Sequence, residues 1–104
     1  KNGYLDVTNS AQTIYTNLSG GTAIVLTLRI TNVDGSSADT ITADVIDGSS
    51  GNARIAFTMT VPADSSIELA GTSKIVLENG DKIDLTGGAS SGDLEGFISY
   101  LEIT

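Results

Sequence analysis

The residues with the clearest chemical potential lie in one acidic, glycine-rich stretch, NVDGSSADT, at residues 32–40. Oxygen ligands at alternate positions are what a calcium loop requires. Counted from Asp34, the alternate residues are Ser36 and Ala38, and the methyl side chain of Ala38 breaks the pattern. We therefore expect Asp34-Gly35 to form a hairpin turn, in which the aspartate caps its own backbone and the glycine takes positive φ.

A looser calcium site is the alternative to this turn. It would need carboxylates from neighbouring loops to converge, and the sequence offers Asp34, Asp39, Asp44 and Asp47 for this. Oxygen-rich clusters of this kind suit hard cations such as calcium. The turn remains the favoured interpretation, so no metal ligand and no cofactor are predicted.

Catalytic groups are scarce. The chain contains no histidine, so the commonest general base is not present to activate its many serine and threonine hydroxyls. Ser73 and Lys74 are adjacent, but neighbours on a strand point to opposite faces. A glycosidase would need two carboxylates across a cleft walled by aromatic rings. Carboxylates are available, but the aromatic residues number five and none is tryptophan. We expect a protein that is not an enzyme. The carboxylates considered are Glu68, Glu78, Asp81 and Asp84.

The net charge of −8, from thirteen acidic and five basic residues, argues against two classes of partner. Nucleic-acid binding depends on neutralising phosphates with lysine and arginine, so no nucleic-acid partner is predicted. Anionic membrane surfaces are disfavoured for the same reason, and no apolar run is long enough to span a bilayer. The absence of cysteine excludes disulfides and thiolate metal sites within these residues.

The elements that must position these residues are β-strands. Apolar residues alternate with polar ones at period two along most of the chain, which indicates strands with one buried face. Turn sequences rich in Gly, Asp, Asn and Ser separate the runs, and this spacing predicts a single all-β sandwich of about eight mostly antiparallel strands, jelly-roll-like or immunoglobulin-like. The predicted strands are 12–16, 22–33, 39–47, 53–62, 66–70, 74–78, 81–86 and 94–104.

The same alternation predicts the core and one hairpin. Asn79-Gly80, between Leu77 and Ile83, is expected to form a type I′ hairpin turn, since both residues tolerate positive φ. The residues expected to be buried between two sheets are Ile24, Leu26, Leu28, Ile30, Ile55, Phe57, Met59 and Val61. Because Phe57 is among them, its truncation to alanine is expected to cost about 3–5 kcal/mol.

Both ends of the chain are candidates for contacts with other subunits. Residues 1–11 are predicted to be an N-terminal extension or arm, and residues 12–104 the sandwich domain. Residues 1–10 show no clear period, and the arm would be ordered by an adjacent subunit; the alternative is a first strand within the same sandwich. The C-terminal strand has apolar residues on both faces, so one face could meet a neighbour. The candidate interaction residues are Tyr4, Leu5, Val7, Ile98 and Tyr100.

The order of the turns resembles that of small β-sandwich proteins encoded by tailed bacteriophages. The resemblance covers about residues 12–104 and is carried by an apolar strand ending in Asn-Val-Asp-Gly (32–35), a Val-Pro-Ala turn (61–63), a Leu-x-x-Gly-Asp segment (77–81) and a Ser-Tyr-Leu-Glu end (99–102). It implies a virion structural protein that decorates or cements a capsid, or belongs to the neck, tail or fibre. It carries no catalytic residues over to this chain.

The expectation from this resemblance is a decoration protein on the capsid exterior. Its partners would be the major capsid protein and itself, as a trimer at local three-fold positions, where symmetry repeats many weak contacts. The alternative is a tail, neck or fibre-associated β-domain that binds a receptor. A small carbohydrate-binding module is a third hypothesis from a different class.

Overall fold

A computed structural model describes residues 1–47, 51–70, 74–88 and 93–103 of the chain. In these ranges the protein has nine β-strands and no helix, and so no helix that could cross a membrane. The eight predicted strands are confirmed to within about two residues, and a ninth precedes them. The strands are β1 (Asn2–Val7), β2 (Gln12–Thr16), β3 (Thr22–Asn32), β4 (Asp39–Ile46), β5 (Asn52–Val61), β6 (Ser66–Glu68), β7 (Ile75–Leu77), β8 (Lys82–Gly87) and β9 (Leu94–Ile103).

The strands form two antiparallel sheets that pack face to face, as predicted for a sandwich. The larger sheet has the order β1-β9-β3-β6, and β7 also pairs with β3 beyond the end of β6. The smaller sheet has the order β2-β8-β4-β5. The long central strands β3 and β9 pair over ten residue positions, which makes the molecule elongated, with extents of 43 × 23 × 19 Å.

The core lies between the two sheets and is made of aliphatic side chains from both. Leu28, Ile30 and Ile98 of the larger sheet are fully buried. Ile41, Ile83 and Leu85 face them from the smaller sheet and are also fully buried. Each such side chain contributes about 1.5–3 kcal/mol through removal from water. Gly96 on β9 leaves the space for this packing, because a Cβ there would lie 2.8 Å from Cδ1 of Leu85.

A β-bulge in β3 makes half of the predicted core assignment for this strand wrong. The pairing with β9 shifts between Val25 and Thr27, so one extra residue, Leu26, is inserted there. Because a one-residue shift moves every following side chain to the opposite face, Ala23 and Val25 are buried before the bulge, whereas Leu28 and Ile30 are buried after it. Ile24 is consequently only half-buried, and Leu26 is exposed.

A second bulge changes the face of β5, the edge strand of the smaller sheet. Ile41 of β4 pairs with Met59 but Ala43 pairs with Ala56, so Phe57 and Thr58 bulge from the ladder and Thr58 takes a φ of 46°. The prediction that Phe57 and Met59 are core residues is wrong, since they are 60% and 43% exposed. Phe57 instead lies under the guanidinium of Arg54, 4.0 Å from its ring centroid. Ile55 is half-buried, and Val61 is buried as predicted.

The turn at Asp34-Gly35 connects the two sheets, and the hairpin predicted there does not form. Oδ1 of Asp34 accepts hydrogen bonds from the backbone N–H of Ser36 at 2.9 Å and from its hydroxyl at 3.1 Å, which is the expected capping by the aspartate. Gly35 is not among the described residues with positive φ. The chain passes here from β3 in the larger sheet to β4 in the smaller one.

The Asn79-Gly80 turn also connects the sheets, since β7 and β8 belong to different ones. The N–H of Asp81 donates to the carbonyl of Glu78 at 3.0 Å, and of the two central residues only Gly80 has positive φ, at 95°. This is the geometry of a type II turn, in which only the third position needs positive φ. The predicted type I′ hairpin is therefore wrong, although the turn itself lies where it was predicted.

Two buried asparagines fasten the sheets together at opposite ends of β3. Asn17 follows β2, and its Nδ2 donates to the carbonyl of Leu77 in the larger sheet at 2.9 Å. Asn32 ends β3, and its Nδ2 donates to the carbonyl of Val61 in the smaller sheet at 2.9 Å. Each Oδ1 accepts the backbone N–H two residues later, which shapes the following turn.

The first strand lies within the same sandwich, which was the alternative to an arm held by a neighbour. Residues 2–7 pair with residues 94–99 of β9 in continuous antiparallel register. Val7 is buried in the core, and the N–H of Gly87 donates to the carbonyl of Thr8 at 2.7 Å. The boundary predicted at residue 11 therefore does not separate an arm from the sandwich.

Candidate interaction surface

The structure places the five predicted interaction residues in different environments. Val7 and Ile98 are buried in the core, and Leu5 packs against it. Tyr100 points inward and its ring lies 4.0 Å, centroid to centroid, from that of Tyr15. Tyr4, by contrast, is 81% exposed. Only Tyr4 of the five therefore lies on a surface that a partner could reach without rearranging the core.

The outer face of the larger sheet carries the apolar residues that do face solvent. Leu101 pairs with Ile24 on β3, which in turn pairs with Val76 on β7, so these three side chains form one row across the sheet. Ile103 lies two residues further along β9 on the same face, where it pairs with Thr22. Val76, Leu101 and Ile103 are 59%, 51% and 50% exposed. We call Ile24, Val76, Leu101 and Ile103 the apolar band.

The other half of the same face is a groove of about 390 Å³ with a mixed lining. Tyr4 pairs with Phe97, which pairs with Arg29, so these side chains form a second row across β1, β9 and β3. Asp6 and Glu95 are paired in the next row. We call this the aromatic groove, and its lining side chains are Tyr4, Asp6, Arg29, Thr31, Glu95 and Phe97.

A polar cluster ties the beginning of the chain to β9 and β2. Glu102 accepts a hydrogen bond from the hydroxyl of Tyr15 at 2.7 Å and pairs with Nζ of Lys1 at 2.9 Å. These two hydrogen bonds hold the pKa of Glu102 below its usual value. Burial, followed by the bond to Glu102, raises the pKa of Tyr15. The hydrogen bond to Glu102, and the carboxylate's charge, raise the pKa of Lys1.

The carboxylates considered for metal binding and catalysis mostly hold local structure. The hydrogen bonds from Ser36 lower the pKa of Asp34. Glu68 accepts the backbone N–H groups of Leu28 and Ala70 at 2.7 and 3.1 Å. Asp84 accepts the hydroxyl of Thr13 at 2.6 Å. Over the described ranges no three acidic side chains lie close enough together to hold a metal ion.

Three further acidic residues make similar local contacts. Asp44 forms an ion pair with Arg54 at 3.4 Å. The carboxylate of Asp39 accepts the N–H of Thr40 at 2.7 Å, and that of Asp81 accepts the N–H of Glu78 at 3.0 Å. Ser73, the partner considered for Lys74, lies outside the described residues. The outer face of the larger sheet therefore presents two exposed surfaces, the apolar band and the aromatic groove.

Two signals in the sequence point to features that the period-two pattern alone does not predict. The C-terminal strand was recognised as apolar on both faces, but Phe97, Leu101 and Ile103, and not Ile98 and Tyr100, form its outer face. The two fastening asparagines lie in similar segments, TNLSG at 16–20 and TNVDG at 31–35. An asparagine preceding an exposed apolar residue twice, in the same local pattern, could have been recognised as a repeated turn.

Comparisons with known proteins show a likeness in fold to solved structures. No family model matches the chain, and no curated protein matches it. A solved structure described as "Bacillus endospore appendages form a novel family of disulfide-linked pili" is similar, with a TM-score of 0.53 and 14% sequence identity. The match covers all of this chain and 85% of that one. At this identity the likeness concerns the fold alone.

Proposed function

We propose that this protein is a structural subunit without enzymatic activity, which assembles with further copies of itself through the apolar band on the outer face of its larger sheet. The apolar band carries the proposal. It places three side chains that are half exposed or more on one face of the sheet, Leu101 and Ile103 on β9 and Val76 on the far side of Ile24. Contiguous exposed apolar surface of this kind typically marks a site of protein–protein interaction.

The fold likeness also supports a role in an assembly. The similar solved structure belongs to pili, and this chain would likewise act as a repeated β-sandwich subunit of an assembly. Those pili are described as disulfide-linked, whereas these 104 residues contain no cysteine. Contacts that these residues make between copies would therefore not be disulfides, and symmetry could supply avidity by repeating weak contacts.

The more specific form of the proposal is decoration of a bacteriophage capsid exterior. It rests on the order of sequence motifs shared with small virion proteins of tailed phages. In this form the chain binds the major capsid protein as a homotrimer, and its acidic surface faces away from the packaged DNA. A tail, neck or fibre position is the alternative within the same class, and a pilus-like filament is the placement that the fold likeness favours.

Sedimentation velocity over a range of concentrations tests the assembly itself. The wild-type protein should associate as its concentration rises, and the double variant Val76→Gln/Leu101→Gln should remain monomeric because it removes the two exposed apolar side chains on either side of Ile24. The matched control is Phe57→Gln/Met59→Gln, which makes the same kind of change on the exposed edge of the other sheet and should associate like wild type. Equal behaviour of all three proteins would contradict the proposal.

Electron cryo-microscopy of particles that contain the chain tests its placement. Density repeated over a capsid shell, with copies on the order of hundreds, supports decoration, because a closed shell repeats each symmetric contact many times. Density confined to a tail, or a filament made of this chain alone, would overturn decoration while leaving the structural role intact.

A further inference from the structure

We infer that the aromatic groove binds a neutral saccharide. This site is separate from the apolar band, and the inference does not depend on the proposed assembly.

The register of β1 and β9 brings the lining side chains close together. Lys1 and Tyr100 exchange two backbone hydrogen bonds, each of 2.8 Å, so they form a hydrogen-bonded pair of the antiparallel ladder. Pairs alternate along such a ladder. Counting from Lys1, Tyr4–Phe97 and Asp6–Glu95 are non-hydrogen-bonded pairs, whose side chains lie closest to each other. Two aromatic rings and two carboxylates therefore lie in neighbouring rows.

The charged side chains of the groove have no hydrogen-bond or ion-pair partner among the described residues. Two carboxylates directly opposite each other, as Asp6 and Glu95 are, repel. Neither makes a side-chain hydrogen bond or an ion pair with any residue that the structure describes, and the same is true of Arg29. Most of the acidic side chains described above accept hydrogen bonds from backbone, serine or threonine groups. The groove differs, because the guanidinium of Arg29 and the carboxylates of Asp6 and Glu95 lie beside two aromatic rings with no such partner.

The combination of groups selects the ligand class. A cation would be attracted to Asp6 and Glu95 but would be placed beside Arg29, and an anion would meet two carboxylates. A sugar hydroxyl both donates and accepts, so one polyol can donate to the carboxylates while it accepts from the guanidinium. The C–H face of a pyranose ring can pack on the apolar faces of Tyr4 and Phe97. At about 390 Å³ the groove is within the size range of small-molecule sites.

Titration of the ¹⁵N-labelled protein, observed by amide chemical shifts, tests the inference. The probes are the methyl glycosides of glucose, galactose, mannose and N-acetylglucosamine. We expect at least one of them to shift the amides of residues 4–6, 29–31 and 95–97, with a dissociation constant on the order of 1–10 mM, as suits a ligand of this size. Tyr4→Ala should weaken binding at least tenfold. This variant should fold, because the side chain is 81% exposed.

Phe57→Ala is the matched control, since it removes an exposed aromatic ring from the other sheet, and it should bind within twofold of wild type. Glu95→Gln should also weaken binding, because a carboxylate that accepts two hydroxyl donors is replaced by a group with one acceptor atom. The inference is overturned if no glycoside shifts the groove amides at 100 mM, if Tyr4→Ala binds like wild type, or if only a cationic probe such as arginine ethyl ester shifts them.

Discussion

A single asparagine side chain fastens each end of the sandwich, and Asn17 has the fuller set of contacts. Its Nδ2 donates to the carbonyls of Leu77 and Gly21, and its Oδ1 accepts from the N–H and the hydroxyl of Ser19. The residue is fully buried. Buried polar groups that lose a partner incur their full desolvation cost, so such a residue matters beyond the strength of any one bond.

Asn17→Ala should lower the free energy of unfolding by about 2–3 kcal/mol, because it leaves the buried carbonyl of Leu77 without its donor. Urea denaturation followed by circular dichroism measures the loss. Asn9→Ala is the control, since Asn9 is exposed in the turn between β1 and β2, and should change stability by less than about 0.5 kcal/mol. Equal effects of the two substitutions would contradict the role assigned to Asn17.

Glu102 should make stability depend on pH in the acid range. The hydrogen bonds from Tyr15 and Lys1 lower its pKa in the folded protein below the ordinary 4.5. A lowered folded-state pKa contributes stability that is complete above the unfolded-state pKa and is lost as the pH falls through the folded-state one. Wild type should therefore be more stable than Glu102→Gln at pH 7, and the difference should shrink by about pH 3.

Urea denaturation at the two pH values measures this difference. Tyr15→Phe removes the largest cause of the lowered pKa of Glu102. The difference in unfolding free energy between Tyr15→Phe and Glu102→Gln should therefore change less between pH 7 and pH 3 than the difference between wild type and Glu102→Gln. A difference between wild type and Glu102→Gln that is the same at both values would show that the carboxylate's ionisation does not contribute to stability.

At the scale of the strands, the period-two pattern predicts where an element lies more reliably than which face it buries. Eight strands were predicted to within about two residues because β-branched and polar residues alternate clearly. The bulge in β3 was not predictable, since both phases of this strand are apolar, Ala23 and Val25 in one and Ile24 and Leu26 in the other. In such a strand, neighbouring strands and not the pattern decide the face.

The first strand escaped prediction for a different reason. Its residues, NGYLDV, have little β-branched character, and only Val7 is fully buried. The strand is ordered by pairing with β9, a contact between residues about ninety positions apart that no local pattern reveals. The candidate site was partly predictable in the same sense: Tyr4 was singled out from its residue type, but its neighbours Phe97 and Arg29 follow only from the register.

Deletion of residues 1–10 should destabilise the domain by at least about 3 kcal/mol, because it removes the buried side chain of Val7 and exposes the paired edge of β9. Urea denaturation and amide spectra measure the effect. Tyr4→Ala, which alters the same strand at an exposed position, should change stability far less. A truncated protein with the wild-type midpoint would restore the hypothesis of an independent arm.

For the molecule as a whole, the excess of negative charge opposes folding. Thirteen acidic residues face five basic ones, and the described part of the chain contains three ion pairs, none of which is fully buried. An excess of one sign destabilises a compact state through self-repulsion, and salt screens it. Because the sandwich is narrow and elongated, many of these acidic side chains lie close to solvent.

Sodium chloride should therefore raise the melting temperature. Between about 10 mM and 500 mM salt we expect a stabilisation near 1 kcal/mol, which corresponds to roughly 4–8 °C for a domain of this size. Differential scanning calorimetry measures it. Asp6→Asn/Glu95→Gln, which removes two facing charges, should melt higher in low salt and respond less to added salt. A melting temperature that falls with salt would show that attractive pairs outweigh the repulsion.

The antiparallel pairing of β1 with β9 also sets the response to mechanical force. Lys1 lies opposite Tyr100, so residues 1 and 103 meet at the same end of one ladder. Tension applied between these two residues would load the hydrogen bonds of the ladder one after another, in the unzipping geometry, and not all at once, as in the shear geometry. The sandwich should yield at low force in that direction. A fibre or shell built from it would have to transmit load through its sheet faces and not through the ends of the strands.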